Sequence, residues 1–384
     1  MGRRVRLLLL AAVLVVATGA IPAQQVAART DVTVEGATVT LTVSIDLVGA
    51  INEAGQEIGL KDESSGVATP ISKYWGQAAK AWNDAFANLT YGGCVRFKLD
   101  LQFFPKPYGS LHTPGHHSVV IDTDPDVRPM VFDPATNVAT DDTPSALTSD
   151  LTGDWGAEEV GTISHEVGHL LGLGDDYTDV KDANGKVTGS KPVAGRENTM
   201  MASDGDVDQN IVDRLGKLVE KAGKRLPKCW TGTMTSSSTY NIDAPDGGPV
   251  CAASWTTKVT FVVGPEGKID GTGDATLSQL GACPHPIEQG GFRQTQQIHT
   301  GISGTASADQ LLVSYVALGP NVPADGIEGT GFSASIFGFG TPQPPLAIPI
   351  VSPGHAQGAQ TLQLTSGSNV YTSDNTLDLT CATC

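Results

Sequence analysis

The residues best suited to chemistry form one run, His165-Glu166-Val167-Gly168-His169-Leu170-Leu171-Gly172-Leu173-Gly174-Asp175. Two histidines four residues apart lie on one face of a helix, so two imidazole nitrogens can reach a single Zn2+. Glu166, next to the first histidine, is placed to take a proton from a water that zinc has made acidic enough to ionise near neutral pH. A catalytic zinc keeps one position open for water and substrate, so the reading requires one more protein ligand.

The helix passes an independent check. At ~100° per residue, Val160, Ile163, Val167, Leu170 and Leu171 share a wedge of roughly 100°, and the two histidines lie nearly opposite, about 40° apart. That puts a core face below and a ligand face above. Gly172 permits the left-handed turn that stops a helix and lets the chain swing back toward the metal. Downstream, Asn198-Thr199-Met200-Met201-Ala202-Ser203 holds two of the five methionines and is followed by a helical pattern.

With these residues in place, the segment from residue 31 to about 228 resembles the catalytic domain of a metzincin-clan zinc metalloendopeptidase. The HExxHxxGxxD run and a methionine-bearing turn are its marks. The resemblance implies that His165 and His169 are metal ligands, Asp175 is the third ligand and Glu166 is the catalytic general base. Met201 would be the turn methionine, with Met200 as the alternative, and Asp176 is an alternative third ligand. The chain departs from the pattern in two ways. A carboxylate takes the third place more often held by histidine, which partly neutralises the ion. The tyrosine two positions past the methionine is missing, since Ala202 and Ser203 stand there; Tyr177 is the nearest substitute in sequence. The implied reaction is hydrolysis of peptide bonds in a protein or peptide substrate. The competing reading is a non-catalytic binding or adhesion protein with a structural zinc, and the intact Glu166 favours the enzyme. Hydrolysis of a non-protein amide is a third reading that the motif leaves open.

Other clusters carry less. His112, His116 and His117 precede a strand and read as polar loop residues or a second metal site. Alternating acids at Asp122, Asp124 and Asp126 and at Asp204, Asp206 and Asp208 make Ca2+ a second candidate ion, although Asp206 with Gln209 also fits a capping box. Asp182-Ala-Asn184-Gly185 reads as a hairpin turn.

The elements expected around the motif are a strand over 31–48, a helix from Ser72 (as N-cap) to Asn88, and strands over 95–104, 118–122 and 130–132. The active-site helix is expected from Trp155 to Leu171 with Asp154 as its cap, and a last helix from Val207 to Lys224. Beyond Cys229 only Lys258, Lys268 and Arg293 are basic, and short β-rich runs recur between turns at 258–263, 311–318, 333–339, 346–351, 361–364 and 376–380. The fold class is therefore an α+β zinc-protease-like domain, residues 29–228, followed by an all-β sandwich or barrel, residues 229–384.

Residues 1–28 read as a secretory signal peptide: Arg3, Arg4 and Arg6 precede the short apolar stretch Leu7–Val16, with small residues behind it. Arg3-Arg4 lacks the phenylalanine usual in twin-arginine signals. The expected protein is secreted, extracellular or periplasmic, without a membrane anchor. In an oxidising compartment the six cysteines default to disulfides, in any of 15 pairings. Cys381 and Cys384 have redox spacing but no helical pattern behind them. The net charge of −17 argues against nucleic acid as a partner. The β domain is left to bind substrate or a surface.

Overall fold

The computed structural model describes residues 30–61, 68–121, 130–133, 138–139, 152–155, 160–185, 187–203, 205–241, 250–280, 297–317, 345–366, 369–382 and 384. The expected signal peptide, Asp122, Asp124 and Asp126, Asp204, and the run 333–339 lie outside them.

The N-terminal half is a mixed sheet with helices packed on it. The expected first strand is two, β1 (Asp31–Glu35) and β2 (Thr38–Ile51), because the chain reverses in a turn at Gly36-Ala37. Strand β2 buries Val39, Leu41, Val43, Ile45 and Leu47 at every second position and is the sheet's organiser. After a short antiparallel pair, β3 (Gly59–Lys61) and β4 (Ala68–Pro70), strands β5 (Arg96–Pro107) and β6 (His117–Ile121) run parallel to β2, and β9 (Thr152–Trp155) runs parallel to β6. Antiparallel strands β7 (Met130–Asp133) and β8 (Val138–Ala139) continue the sheet beyond β9.

The helix expected over 72–88 is broken into α1 (Ile71–Trp75) and α2 (Ala78–Phe86) at Gly76-Gln77. Ser72 is not its cap. Pro70 holds the N-cap position, and the Ser72 N–H donates to the Glu57 carboxylate at 2.7 Å. Trp75, Ala78, Trp82 and Phe86 form one buried stripe, with Ala78 in the place the helical period gives to Ala79. The helix expected to carry the active site, α3 (Val160–Leu170), is shorter than expected: Trp155 ends β9 and packs edge-on against Trp75 at 5.6 Å, so sheet pairing claims it. A short α4 (Met200–Ser203) and then α5 (Gln209–Lys221) follow. Asp208, not Asp206, caps α5, accepting from the Ile211 N–H at 2.9 Å; Gln209 reaches instead to the Thr90 carbonyl and Asp213.

The C-terminal half is a barrel, not a sandwich. Eight antiparallel strands, from β12 (Lys228–Asn241) to β19 (Asn369–Cys381), close in sequence order with each paired to the next and β19 back to β12. Its interior is filled by Trp230, Trp255, Phe261, Tyr315, Leu377 and their neighbours. Gly264-Pro-Glu-Gly267 makes a hairpin turn, with the Gly267 N–H donating to the Gly264 carbonyl. Disulfides join Cys94 to Cys229, across the two halves, and Cys381 to Cys384. Among the described residues no helix is long and apolar enough to cross a membrane.

Candidate metal centre

Helix α3 ends in a turn that builds half the site. Gly172 has φ +84°, a conformation that residues with a Cβ rarely adopt. Its N–H donates to the His169 carbonyl at 2.8 Å, and the Leu173 N–H to the Gly168 carbonyl at 3.0 Å. This pair of bonds is the Schellman helix stop. The stop leaves the Leu173 carbonyl facing His169 Nδ1 at 2.9 Å. His165 Nδ1 finds the Met200 carbonyl at 2.9 Å. A carbonyl can only accept, so each ring carries a proton on Nδ1, and in the neutral, metal-binding form its Nε2 lone pair faces inward.

Those two lone pairs and one carboxylate oxygen converge. His165 Nε2 lies 3.2 Å from His169 Nε2, and Asp175 Oδ1 lies 3.1 Å and 3.4 Å from them. A tetrahedral zinc with bonds of ~2.0–2.1 Å holds its ligand atoms roughly 3.3 Å apart, so the spacing fits that ion. Three acceptors this close in a buried place repel one another unless a cation sits between them. Without a metal the cation is a proton: burial opposes a charged His165, but the Asp175 carboxylate, the Glu166 charge and the Met200 carbonyl outweigh it and push its pKa up to about 9. Burial likewise raises the Asp175 pKa, yet the two histidines outweigh it and hold that carboxyl below its ordinary value.

Glu166 is buried, with a carboxylate oxygen within 4.8 Å of both histidine donor atoms. That is near enough to reach a water held over them. The Tyr177 ring stacks on His165 with centroids 6.1 Å apart. Beneath the helix Met201 is fully buried, and its sulfur occupies the place a side chain on Gly168 would need: an added Cβ would lie 2.3 Å from it. Met200 contributes its backbone carbonyl, not its side chain.

Asp176 faces away from the histidines. Its Oδ1 accepts from Arg196 at 2.7 Å and Arg214 at 2.8 Å, and its Oδ2 from the Thr199 hydroxyl at 3.0 Å. Sequence reading missed both arginines. Arg214 had a signal: on the helix expected over 207–224 it falls about 20° from the edge of the apolar stripe Val207, Ile211, Leu215, Leu218 and Ala222 at ~100° per residue, where a charge is out of place. The carbonyl partners Leu173 and Met200 had none, since any residue supplies one.

Among the described residues the histidines at 112, 116 and 117 do not converge on a metal site. His117 is buried in β6, His116 pairs with the buried Asp46 at 2.9 Å, and His112 contacts the His116 carbonyl. Asn184-Gly185 forms a hairpin turn between β10 (Tyr177–Lys181) and β11 (Val187–Pro192). Of the alternating acids only Asp206 and Asp208 lie among the described residues, and the Asp208 carboxylate caps α5. No protein-family model and no curated protein matches this chain.

Proposed function

We propose that this chain is a secreted zinc-dependent endopeptidase of the metzincin type. The observation that carries the reading is the convergence of His165 Nε2, His169 Nε2 and Asp175 Oδ1 at 3.1–3.4 Å, with both histidines locked in the tautomer that binds metal. Bound there, zinc supplies Lewis acidity, making a water easier to deprotonate and a carbonyl easier to attack.

The chain's own groups do the rest. Glu166 orients the attacking water and takes its proton as the C–O bond forms. When the C–N bond breaks, the same carboxyl delivers that proton to the leaving nitrogen, so the base is regenerated. The site is mostly closed, with 9 % of the His165 side chain still exposed, which strengthens each of these interactions by excluding water. Tyr177, whose ring stacks on His165, is the side chain assigned in this reading as donor to the developing oxyanion. The barrel's interior is occupied by its own side chains, so its outer wall is what it offers to substrate or a surface.

The test is cleavage of an unfolded protein such as casein, stopped by a chelator and restored by one equivalent of zinc. A protein that binds one zinc but hydrolyses no peptide bond is instead a binding protein with a structural metal.

A further inference from the structure

The zinc reading leaves a question of geometry: two carboxylates stand side by side at 175 and 176, and only one turns to the histidines. The flanking contacts explain the choice. The Arg214 Nη1 donates to Asp176 Oδ1 at 2.8 Å while its Nη2 donates to the Gly174 carbonyl at 2.9 Å. One guanidinium therefore grips the residue before Asp175 and the residue after it. The Asp176 backbone is also held, its N–H by the Met201 carbonyl at 2.8 Å and its carbonyl by the Val193 N–H at 2.6 Å. The Asp176 side chain is wholly buried, whereas Arg214 keeps 20 % and Arg196 36 % of theirs exposed.

We propose that Arg214 is the positioning residue of the metal site: by bracketing 174 and 176 it commits Asp176 to the interior and presents Asp175 as the third ligand. This rests on the zinc reading above. The bracket needs a planar fork with two separate N–H directions. Lysine keeps the charge but has no second fixed arm, so Arg214→Lys separates geometry from electrostatics. The Arg196 guanidinium donates to the Asp176 carboxylate without a second arm on residue 174 and should matter less. The bracket also ties α5 to the metal loop, because Arg214 lies on that helix between the buried Ile211 and Leu215.

The experiment uses the full chain, loaded with Zn2+ or Co2+ alone. Chelator competition gives the zinc affinity, and the visible absorption of Co2+ reports the ligand set independently of activity. Outer-shell partners of metal ligands are typically worth about 10–100-fold in affinity, and Arg214→Lys should lose zinc affinity in that range with a changed cobalt spectrum. Arg196→Lys should lose less and keep the wild-type spectrum. If Arg214→Lys does not fold, Asp176→Asn, which removes the charge the bracket grips, carries the same expectation. Equal zinc affinity and an unchanged cobalt spectrum in the folded variant overturn the assignment. A wild-type chain that binds neither ion overturns the zinc reading, and this assignment falls with it.

Discussion

Gly168 shows how tightly the site is built at the scale of single residues. On propensity alone, alanine would favour a helix by about 1 kcal/mol over glycine. Packing opposes it, because the new Cβ would meet the sulfur of a fully buried Met201 at 2.3 Å. Overpacking of this kind typically costs about 1–3 kcal/mol, so packing wins. Gly168→Ala should lower the melting temperature of the metal-free protein and weaken zinc binding by pushing α3 off the methionine turn; an unchanged melting curve would mean the sulfur moves aside freely. The residue types of the candidate metal site were legible in sequence because chemistry restricts them: few roles besides metal ligation call for histidine, glutamate and aspartate at this fixed spacing. Their supports were less so. Leu173 and Met200 act through carbonyls, and Arg214 shows only as a charge beside an apolar stripe.

At the scale of elements, periodicity found the helices and their buried faces but misplaced their ends. Trp155 fits a helix by pattern, and sheet pairing with β6 took it instead. Gly76-Gln77 interrupts a stripe that period alone would have continued. In the barrel, β12, β14 (Lys268–Leu280) and β15 (Gln297–Ala306) escaped notice because runs such as Thr-Ser-Ser-Ser-Thr and Gly-Thr-Gly carry little apolar signal. Those strands are held by ladder hydrogen bonds and by the closure that leaves no open edge. The crossover from β5 to β6 is pinned differently. Asp46 on β2 is fully buried and takes Lys106 at 2.6 Å, the Thr113 N–H at 2.7 Å and His116 at 2.9 Å. Burial raises its pKa, but these donors outweigh it and hold the carboxyl below its ordinary value. A depressed carboxyl stabilises the fold above the unfolded pKa of ~3.9 and loses that contribution as pH falls through the folded value. Asp46→Asn should therefore destabilise the protein at pH 7, by about 3–5 kcal/mol if it behaves like other broken buried pairs. The gap to wild type should narrow below about pH 4. Denaturant melts at the two pH values check this, and an equal gap at both would show that Asp46 acts by shape alone.

At the scale of the whole molecule, the domain carrying the candidate metal site and a closed barrel are tied by the Cys94–Cys229 disulfide, which spans 135 residues. Long loops gain most in the chain-entropy account, about 5 kcal/mol for one of this length. Replacing both cysteines by serine should lower the melting temperature by several degrees; no change would mean that packing between the halves already fixes them. The acidic excess is spread over both halves, net −12 in 29–228 and −8 in 229–384. In the first half some of it has named work: Asp175 facing the histidines, Asp176 holding two arginines, Asp208 capping α5 and Asp46 pinning a crossover. What the assembly is for rests on Glu166, the carboxylate that hydrolysis requires and a purely structural zinc does not. Hydrolysis of casein by the zinc-loaded protein and by Glu166→Gln at equal zinc content is the most direct measurement. Wild type should cleave, and the variant should be slower by about 10²–10⁴-fold, the usual worth of a general base. Equal rates in the two proteins, or no cleavage by either, would contradict the proposed hydrolytic role.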